Sequence, residues 1–381
     1  MNTLTPDNST ARIECVRELP QFWALEPLYR RLYQESESHN PFLSWEWLAS
    51  WVEIYQDRIE LAVYLVHYFD ETIGILPLYR MRPSQSVSRV SDQLRFLGDQ
   101  YVSSEYLDLI AAPQHVMLVT QILLTQILLS TNHSTSLFLD DVAETSPLLI
   151  NLSRLSRKHG FLYSIQRKNV CPVLDLQESE PKSESVCQQY KLGAAKLQQL
   201  LKKFGGQVEL VENISQVSAQ LDELFILHQK NWQGRGENGS FINEQKRQFY
   251  HLFASRFYAC GWLNMFSLRI SNTTVAAFIG FTSQEVFYFL QSGTDPEWGK
   301  YSVGTVAFYQ ILQALQTRGV RWVDFLRGNE AYKYRWGARA RFTYSLQIYP
   351  ASLQIFPTFL YHQAKVKVKS VLQFNKWGKM K

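Results

Sequence analysis

The chain has 381 residues, of which 46% are hydrophobic and 14% aromatic, so it can bury two domain cores and wholesale disorder is excluded. Its formal net charge of +5 permits an anionic ligand but does not require nucleic acid, and we expect no DNA partner. The four cysteines are scattered without a Cys-x-x-Cys pair, which argues against a metal site or a disulfide framework and fits a reducing cytoplasm.

The most apolar helix candidate, residues 116–129, is shorter than the roughly 20 apolar residues that a membrane span needs. It also carries two threonines and two glutamines. The N-terminus is polar and lacks an apolar signal core. We therefore expect a cytoplasmic protein without a transmembrane segment.

The first half begins with a loose tail and then alternates strands and helices. The predicted elements are a strand and a helix within 13–34, a helix from about 44, strands at 61–69, 72–81, 94–98 and 106–111, a helix to 130, a strand at 136–139, a helix at 147–159, and strands at 161–166 and 173–176. The helical spacing of Trp47, Trp51 and Tyr55 favours aromatic core packing. Pro77 predicts an edge strand or a bulge.

The second half follows a polar linker, 178–185, and a basic helix, 186–204, whose lysines face either solvent or a phosphate-bearing partner. The further predicted elements are a strand at 207–211, helices at 221–232 and 245–260, strands at 263–270, 273–281 and 286–291, a helix to 317 and a strand at 320–326. The tail, 356–381, mixes apolar residues with lysines. It predicts either a soluble basic end or peripheral contact with an anionic membrane surface.

The two halves repeat one order of elements: two strands around a short turn, a third strand, a helix and a parallel strand. This order predicts a tandem pair of similar α/β domains. The copies differ before the helix, where the first has residues 111–114 without glycine and the second has the glycine-bearing loop 299–304. An anion site is therefore expected in the second copy.

The loop 299–306 leads directly into a helix, so its backbone N–H groups and the positive end of the helix dipole favour a phosphate or pyrophosphate. Gly304 permits close approach of the backbone to such a ligand. The loop is neither a Walker A sequence nor Gly-x-Gly-x-x-Gly. An ordinary helix-capping turn is the alternative interpretation.

This order of elements resembles the Gcn5-related N-acetyltransferase (GNAT) fold. More narrowly, the chain resembles the CelD-type acetyltransferases named for cellulose biosynthesis, which are relatives of the Fem-type peptidoglycan aminoacyltransferases. The matching stretches are 42–48, 73–78, 104–108, 227–228 with Trp232, 235–236 and Phe241, 301–304, and 324–328 with 332–333. The loop differs from the family pattern, Gln/Arg-x-x-Gly-x-Gly/Ala, in having Lys300 as its leading cation and no second glycine.

The resemblance implies an α/β protein of two tandem GNAT folds, with mixed and mostly antiparallel sheets flanked by helices. The implied domains are a degenerate N-terminal one without a phosphate loop (11–178), a C-terminal one with the acyl-CoA site (186–350), and the basic tail (351–381). It also implies transfer of an acyl group, in the first place acetyl, from acyl-CoA to an amine or hydroxyl. The acceptor would be a small molecule or glycan: a sugar, polysaccharide or cell-envelope precursor. No metal is implied.

The expected cofactor-binding residues are Lys300, Ser302, Val303, Gly304, Thr305 and Lys333. Glu330, just past a strand end, is the first candidate base, Tyr332 the candidate acid for the thiolate, and Asp295 a second candidate base. The expected substrate-binding residues are Glu105, Asp108, His228, Trp232 and Arg235. The alternative roles are structural. In these, Glu330 is a loop carboxylate, Tyr332 a packed phenol and Asp108 a strand-end hydrogen-bond partner. His228 is then a core histidine, and Arg235 pairs with Glu237.

Two other hypotheses stay open. One is a Fem-like transferase that takes its group from aminoacyl-tRNA, although the modest charge of +5 does not favour tRNA. The other is a non-catalytic scaffold of a polysaccharide-assembly system, which the atypical loop allows.

Overall fold

The computed structural model describes residues 11–82, 92–130, 135–177, 183–212, 216–234 and 236–350, together with 352, 356, 357 and 359–361. Most of the predicted linker and of the basic tail, for which either a soluble end or a membrane contact was predicted, lies outside these residues. We refer to residues 11–177 as the first half and to 183–350 as the second half.

The first half contains seven strands and five helices within its described residues. The strands are β1 (Ala11–Val16), β2 (Ile59–Tyr68), β3 (Glu71–Met81), β4 (Asp92–Phe96), β5 (Ile110–Ala111), β6 (Thr135–Ala143) and β7 (Leu162–Asp175). The helices are α1 (Leu19–Ala24), α2 (Glu26–Glu35), α3 (Trp45–Tyr55), α4 (Val116–Ser130) and α5 (Pro147–His159).

The second half contains six strands and five helices within its described residues. The strands are β8 (Val208–Glu212), β9 (Leu263–Ile270), β10 (Thr273–Ser283), β11 (Val286–Thr294), β12 (Trp322–Asp324) and β13 (Arg339–Tyr349). The helices are α6 (Glu184–Phe204), α7 (Val217–Gln233), α8 (Glu244–Ala259), α9 (Val303–Thr317) and α10 (Ala331–Arg335).

Local sequence explains where several of these elements begin and end. Helix α5 starts with Pro147 and is capped by Ser146, whose hydroxyl accepts a hydrogen bond from Leu148 N at 3.1 Å. The helix ends at Gly160, which has a φ of 80°. The predicted helix at 147–159 is confirmed.

The described strands form one sheet of 13 strands in the order β1-β2-β3-β4-β6-β13-β7-β12-β11-β10-β9-β8, with β5 paired to β3. Strands β4 and β6 are parallel, and so are β11 and β12, as the predicted repeat requires. The other pairings are antiparallel. The predicted α/β class with a mixed, mostly antiparallel sheet flanked by helices is confirmed.

The two halves exchange their last strands. Strand β13 of the second half pairs with β6 of the first, and β7 of the first half pairs with β12 of the second. The two exchanged strands also pair with each other from Leu162 to Val173. The predicted strands at 161–166 and 173–176 are therefore parts of one long strand, and β13 was not predicted.

Strand β3 lies in the interior of the sheet, so the expectation that Pro77 marks an edge or bulge is wrong. Residues Leu78 and Tyr79 pair with β4, whereas Gly74 and Ile75 pair with β5. Pro77 lies between these two paired stretches, and its carbonyl accepts from Leu97 N at 3.0 Å on that side. An interior proline is tolerated here because its missing N–H falls where the ladder is interrupted.

The predicted aromatic stripe on α3 is confirmed as core. Trp47 and Trp51 are 0% exposed. Trp47 also contacts Phe249 and Phe253 of α8, with ring centroids 4.9 and 4.8 Å apart. The two halves thus share one hydrophobic core across this contact.

Candidate functional site

A gap in the sheet of the second half defines the candidate site. Strands β11 and β12 pair over three residues each. The first pair is Val286 with Trp322, and the last is Tyr288 with Asp324. Beyond these residues β11 continues to Thr294, whereas the chain after Asp324 follows β7. The parallel strands therefore separate at their carboxyl ends, the usual position of ligands in α/β proteins. We call this opening the β11–β12 cleft.

Helix α9 begins beside this cleft. Ser302 has a left-handed backbone (φ 56°), and its carbonyl accepts from the N–H groups of Thr305 and Val306. Its side chain caps no N–H group of the helix. Because the first N–H groups of a helix have no partner within it, those of Val303 and Gly304 are left for a ligand or solvent.

Gly304 lies against the end of β11. A Cβ atom built on it would meet only Thr294 Cγ2, at 3.3 Å. A side chain at this position would need a small shift of Thr294, and the glycine leaves the start of the helix without side-chain atoms here.

The two predicted cofactor lysines are in different surroundings. Lys300 is exposed, and its Nζ lies 5.1 Å from the centroid of the Tyr301 ring. Lys333 is 3% exposed. Its ammonium donates to the carbonyls of Phe325, Arg327 and Gly328 at 3.1–3.2 Å. It therefore holds the loop after β12, which differs from the expected phosphate contact.

The predicted bases and acid are in different surroundings. The Glu330 carboxylate is exposed and pairs with Lys333 Nζ at 2.8 Å. Tyr332 packs against Phe325, and burial raises the pKa of its phenol above the ordinary value.

Asp295 is a buried capping residue. Its Oδ1 accepts from Glu297 N at 3.1 Å, and its Oδ2 pairs with Lys230 Nζ at 3.0 Å. Lys230 belongs to α7, so this pair fastens the loop before α9 to a neighbouring helix.

His228 on α7 is 3% exposed. Its Nδ1 lies 3.1 Å from the carbonyl oxygen of Ser292 in β11, which can only accept, so Nδ1 carries the proton. Its Nε2 therefore carries a lone pair and lies 3.4 Å from Ser240 Oγ. Burial lowers the pKa of His228, so the ring is neutral at pH 7. The Trp232 ring lies 5.9 Å away, and Arg235 lies outside the described residues.

Glu105 lies at the contact between the halves. It is 0% exposed and pairs with Arg327, which also donates to Ser104 O at 2.9 Å and to Asp141 Oδ2 at 3.3 Å. Burial raises the pKa of Glu105 to about 7, although Arg327 opposes the shift. Asp108 is bonded within the first half instead: its Oδ1 accepts from Leu109 N at 2.8 Å, and burial raises its pKa to about 7.

The sequence analysis gave no site role to Tyr106, Asp324 or Arg327, although all three lie in the stretches that carry the family resemblance. The phenol of Tyr106 donates to Asp324 Oδ2 at 2.7 Å, and Leu326 N donates to Asp324 Oδ1 at 2.8 Å. Burial raises the pKa of Asp324 to about 6. The position of this aspartate, the last residue of a parallel strand, is the pattern that would have identified it.

A separate cavity of about 280 Å³ lies in the first half. Arg17, Glu60, Arg80 and Arg82 are among its lining residues. None of these belongs to the β11–β12 cleft or to the residues predicted from the sequence.

Comparisons with known proteins agree with this architecture. Residues 194–334 match a family described as acetyltransferase (GNAT) domain. No curated protein gives a significant match to the chain. Among solved structures, FemX is similar with a TM-score of 0.59 and 8% identity, over 91% of this chain and 99% of FemX.

A conserved protein of unknown function from Bacteroides thetaiotaomicron is similar with a TM-score of 0.54 and 13% identity, over 89% of this chain and 100% of that one. At such low identities these similarities establish the fold alone. These structures thus share the α/β architecture with a large mixed sheet flanked by helices, and residues 194–334 match the acetyltransferase (GNAT) domain family.

Proposed function

We propose that the chain transfers an acyl group, in the first place acetyl, from acyl-CoA to an amine or hydroxyl of a sugar, polysaccharide or cell-envelope precursor. The observation that carries the proposal is the β11–β12 cleft with the open start of α9 beside it. The family match supports the transfer chemistry, and the resemblance to CelD-type proteins supports the acceptor class.

In this proposal the donor's pyrophosphate is received by the N–H groups of Val303 and Gly304, with Thr305 and Lys300 nearby. The thioester then extends into the β11–β12 cleft. The acceptor's nitrogen or oxygen attacks the thioester carbonyl carbon, the carbon–sulfur bond breaks, and CoA leaves as its thiolate. One proton leaves the nucleophile, and one is taken up by the thiolate.

His228 meets the requirements of the base better than Glu330. Its Nδ1 bond to Ser292 O fixes a neutral tautomer whose Nε2 lone pair accepts a hydrogen bond from the exposed Ser240 hydroxyl at 3.4 Å. Glu330 is instead paired with Lys333. A neutral imidazole at pH 7 is suited to accept a proton, directly or through the serine hydroxyl.

The test is calorimetric titration of the full chain with acetyl-CoA and with a longer acyl-CoA. Gly304→Trp should abolish binding, because the indole would occupy the space in front of the helix N–H groups. Gln316→Trp adds the same bulk to an exposed position at the other end of α9 and should bind normally. Absence of binding by the wild type at millimolar thioester would overturn the proposal.

The similarity to FemX favours one alternative for a second titration, a donor carried on tRNA. Saturable binding of an aminoacyl-tRNA without binding of acyl-CoA would support it. Binding of neither donor would leave the scaffold hypothesis.

A further inference from the structure

An exposed group of aromatic and basic side chains lies beside the start of α9. We call it the outer cluster, and it consists of Lys203, Phe204, Trp298, Lys300 and Tyr301. The three rings contact one another, with centroids 5.7 Å apart for Phe204 and Trp298, 5.6 Å for Phe204 and Tyr301, and 5.5 Å for Trp298 and Tyr301. All three are only partly buried, so part of each ring is accessible to solvent.

The lysines of the outer cluster lie against an aromatic ring. Lys203 Nζ donates to the Tyr301 hydroxyl at 2.5 Å and lies 4.7 Å from the centroid of its ring, while Lys300 Nζ lies 5.1 Å from the same centroid. In the described part of the chain, neither lysine forms an ion pair with a carboxylate. The hydrogen bond from Lys203 also lowers the pKa of Tyr301. The cluster therefore presents uncompensated positive charge on an aromatic surface.

Helix α6 brings half of this cluster into place. It packs along α9, where a Cβ on Gly193 would lie only 2.9 Å from the Tyr309 side chain. The glycine permits this close approach, which carries Lys203 and Phe204 at the end of α6 to the loop before α9. The basic helix predicted from sequence thus contributes to a surface shared with the phosphate loop.

We propose that the outer cluster binds the adenosine 3′-phosphate end of the CoA donor. The purine ring lies against the exposed parts of these aromatic side chains, and the 3′-phosphate lies between Lys203 and Lys300. The inference rests on the proposed function, because it takes the pyrophosphate to be at the start of α9. In CoA the adenosine is bonded directly to the pyrophosphate, and Tyr301 is only two residues before the first helix N–H group.

The chemistry of the cluster matches this ligand. A purine stacks on aromatic side chains whatever its base identity, and arginine or lysine adds cation–π attraction. A phosphate dianion between two ammonium groups forms charge-assisted hydrogen bonds, which are stronger than neutral ones. A single-stranded RNA also offers a base and a phosphate, so the experiment must distinguish RNA from CoA as the ligand of the outer cluster.

The experiment compares calorimetric binding of CoA and 3′-dephospho-CoA by the full chain. We expect the wild type to bind CoA about tenfold more tightly, which corresponds to about 1.4 kcal/mol. The Lys203→Met, Lys300→Met double variant should lose this preference, because its affinity for CoA falls to that for 3′-dephospho-CoA. Lys202→Met removes the same charge from the adjacent exposed residue and should retain the preference.

A second variant tests the purine contact. Trp298→Leu should weaken binding of both ligands by the same factor, because both carry adenine. Equal affinity of the wild type for both ligands would overturn the inference and leave the proposed function intact. Failure of both to bind would overturn the two together. Binding of an RNA oligomer that is lost in the double variant, without any preference for CoA, would replace the inference by an RNA site.

Discussion

The phenol of Tyr106 donates a 2.7 Å hydrogen bond to Oδ2 of Asp324, which joins a loop of the first half to the end of β12 in the second. Tyr106 has a φ of 60°, a conformation that costs a non-glycine residue about 1–2 kcal/mol. Asn40 Nδ2 holds this loop by donating to Tyr106 O at 2.7 Å. The first half therefore contributes a constrained segment to the wall of the β11–β12 cleft.

The ion pairs of Arg327 connect the halves at the same place. We expect Arg327→Ala to lower the free energy of unfolding by about 3–5 kcal/mol, because the buried carboxyl of Glu105 would lose its ion-pair partner. Asp141 would keep its ion pair with Lys168. Arg318→Ala is the matched control. Its pair with Glu212 is exposed and should contribute at most about 1 kcal/mol. Urea unfolding of the three proteins measures both values, and equal losses would contradict the prediction.

The raised pKa of Glu105 gives stability a pH dependence. Between its ordinary pKa of 4.5 and its folded value of about 7, the folded protein retains a proton that the unfolded chain has released. Its contribution to stability is therefore complete below about pH 4.5 and is lost as the pH rises to about 7. Relative to Glu105→Gln, the wild type should lose up to about 3 kcal/mol across this window. Unfolding at pH 5 and pH 8 measures the difference, and a constant difference would refute the prediction.

The proposed role of His228 predicts the pH profile of transfer. Because burial lowers its pKa below the ordinary value of 6.5, the ring should be neutral above pH 6.5. The value of kcat/KM should be flat there and should fall at lower pH as the ring takes a proton. His228→Gln should reduce the rate by about 10²-fold or more and remove this fall. Glu330→Gln should keep the pH profile of the wild type. If the fall at low pH is lost in Glu330→Gln and kept in His228→Gln, Glu330 is the base.

The exchange of β7 and β13 predicts that the second half does not fold from residues 183–381 alone. That fragment lacks β7, so β12 and β13 would lose their shared partner and expose unpaired edges. The fragment 160–381 restores β7 and should be markedly more soluble, with a cooperative thermal transition. A folded, monomeric 183–381 fragment would show that the exchanged strand is dispensable and would favour an independent C-terminal domain.

Local patterns were sufficient to predict most of the elements. The strand Leu263–Ile270 and the helix Pro147–His159 have the predicted bounds, because alternation, capping and turn residues are encoded within a few positions. The phosphate-type loop was likewise found before a helix. The fold class followed from the repeated order of these elements.

Long-range relationships could not be predicted in this way. Tyr106 and Asp324 are 218 positions apart, and no local pattern indicates that they meet. The pairing of β13 between β6 and β7 depends on both halves. The surroundings of Lys333 could not be predicted for a similar reason: lysines are rarely buried, and only the fold shows three carbonyls converging on this one.

Lys333 and Lys300 provide a test that separates structural from ligand-binding lysines. Lys333→Met would leave the carbonyls of Phe325, Arg327 and Gly328 without their donor and should cost about 1–3 kcal/mol of unfolding free energy. Lys300→Met removes an exposed side chain and should change stability by no more than about 0.5 kcal/mol. Acyl-CoA affinity should respond in the opposite order, falling in Lys300→Met and remaining near the wild-type value in folded Lys333→Met. Denaturant unfolding of both variants measures the effect on stability, and calorimetry measures the effect on acyl-CoA affinity. A Lys333→Met protein of normal stability that no longer binds acyl-CoA would instead establish the phosphate contact expected from the sequence.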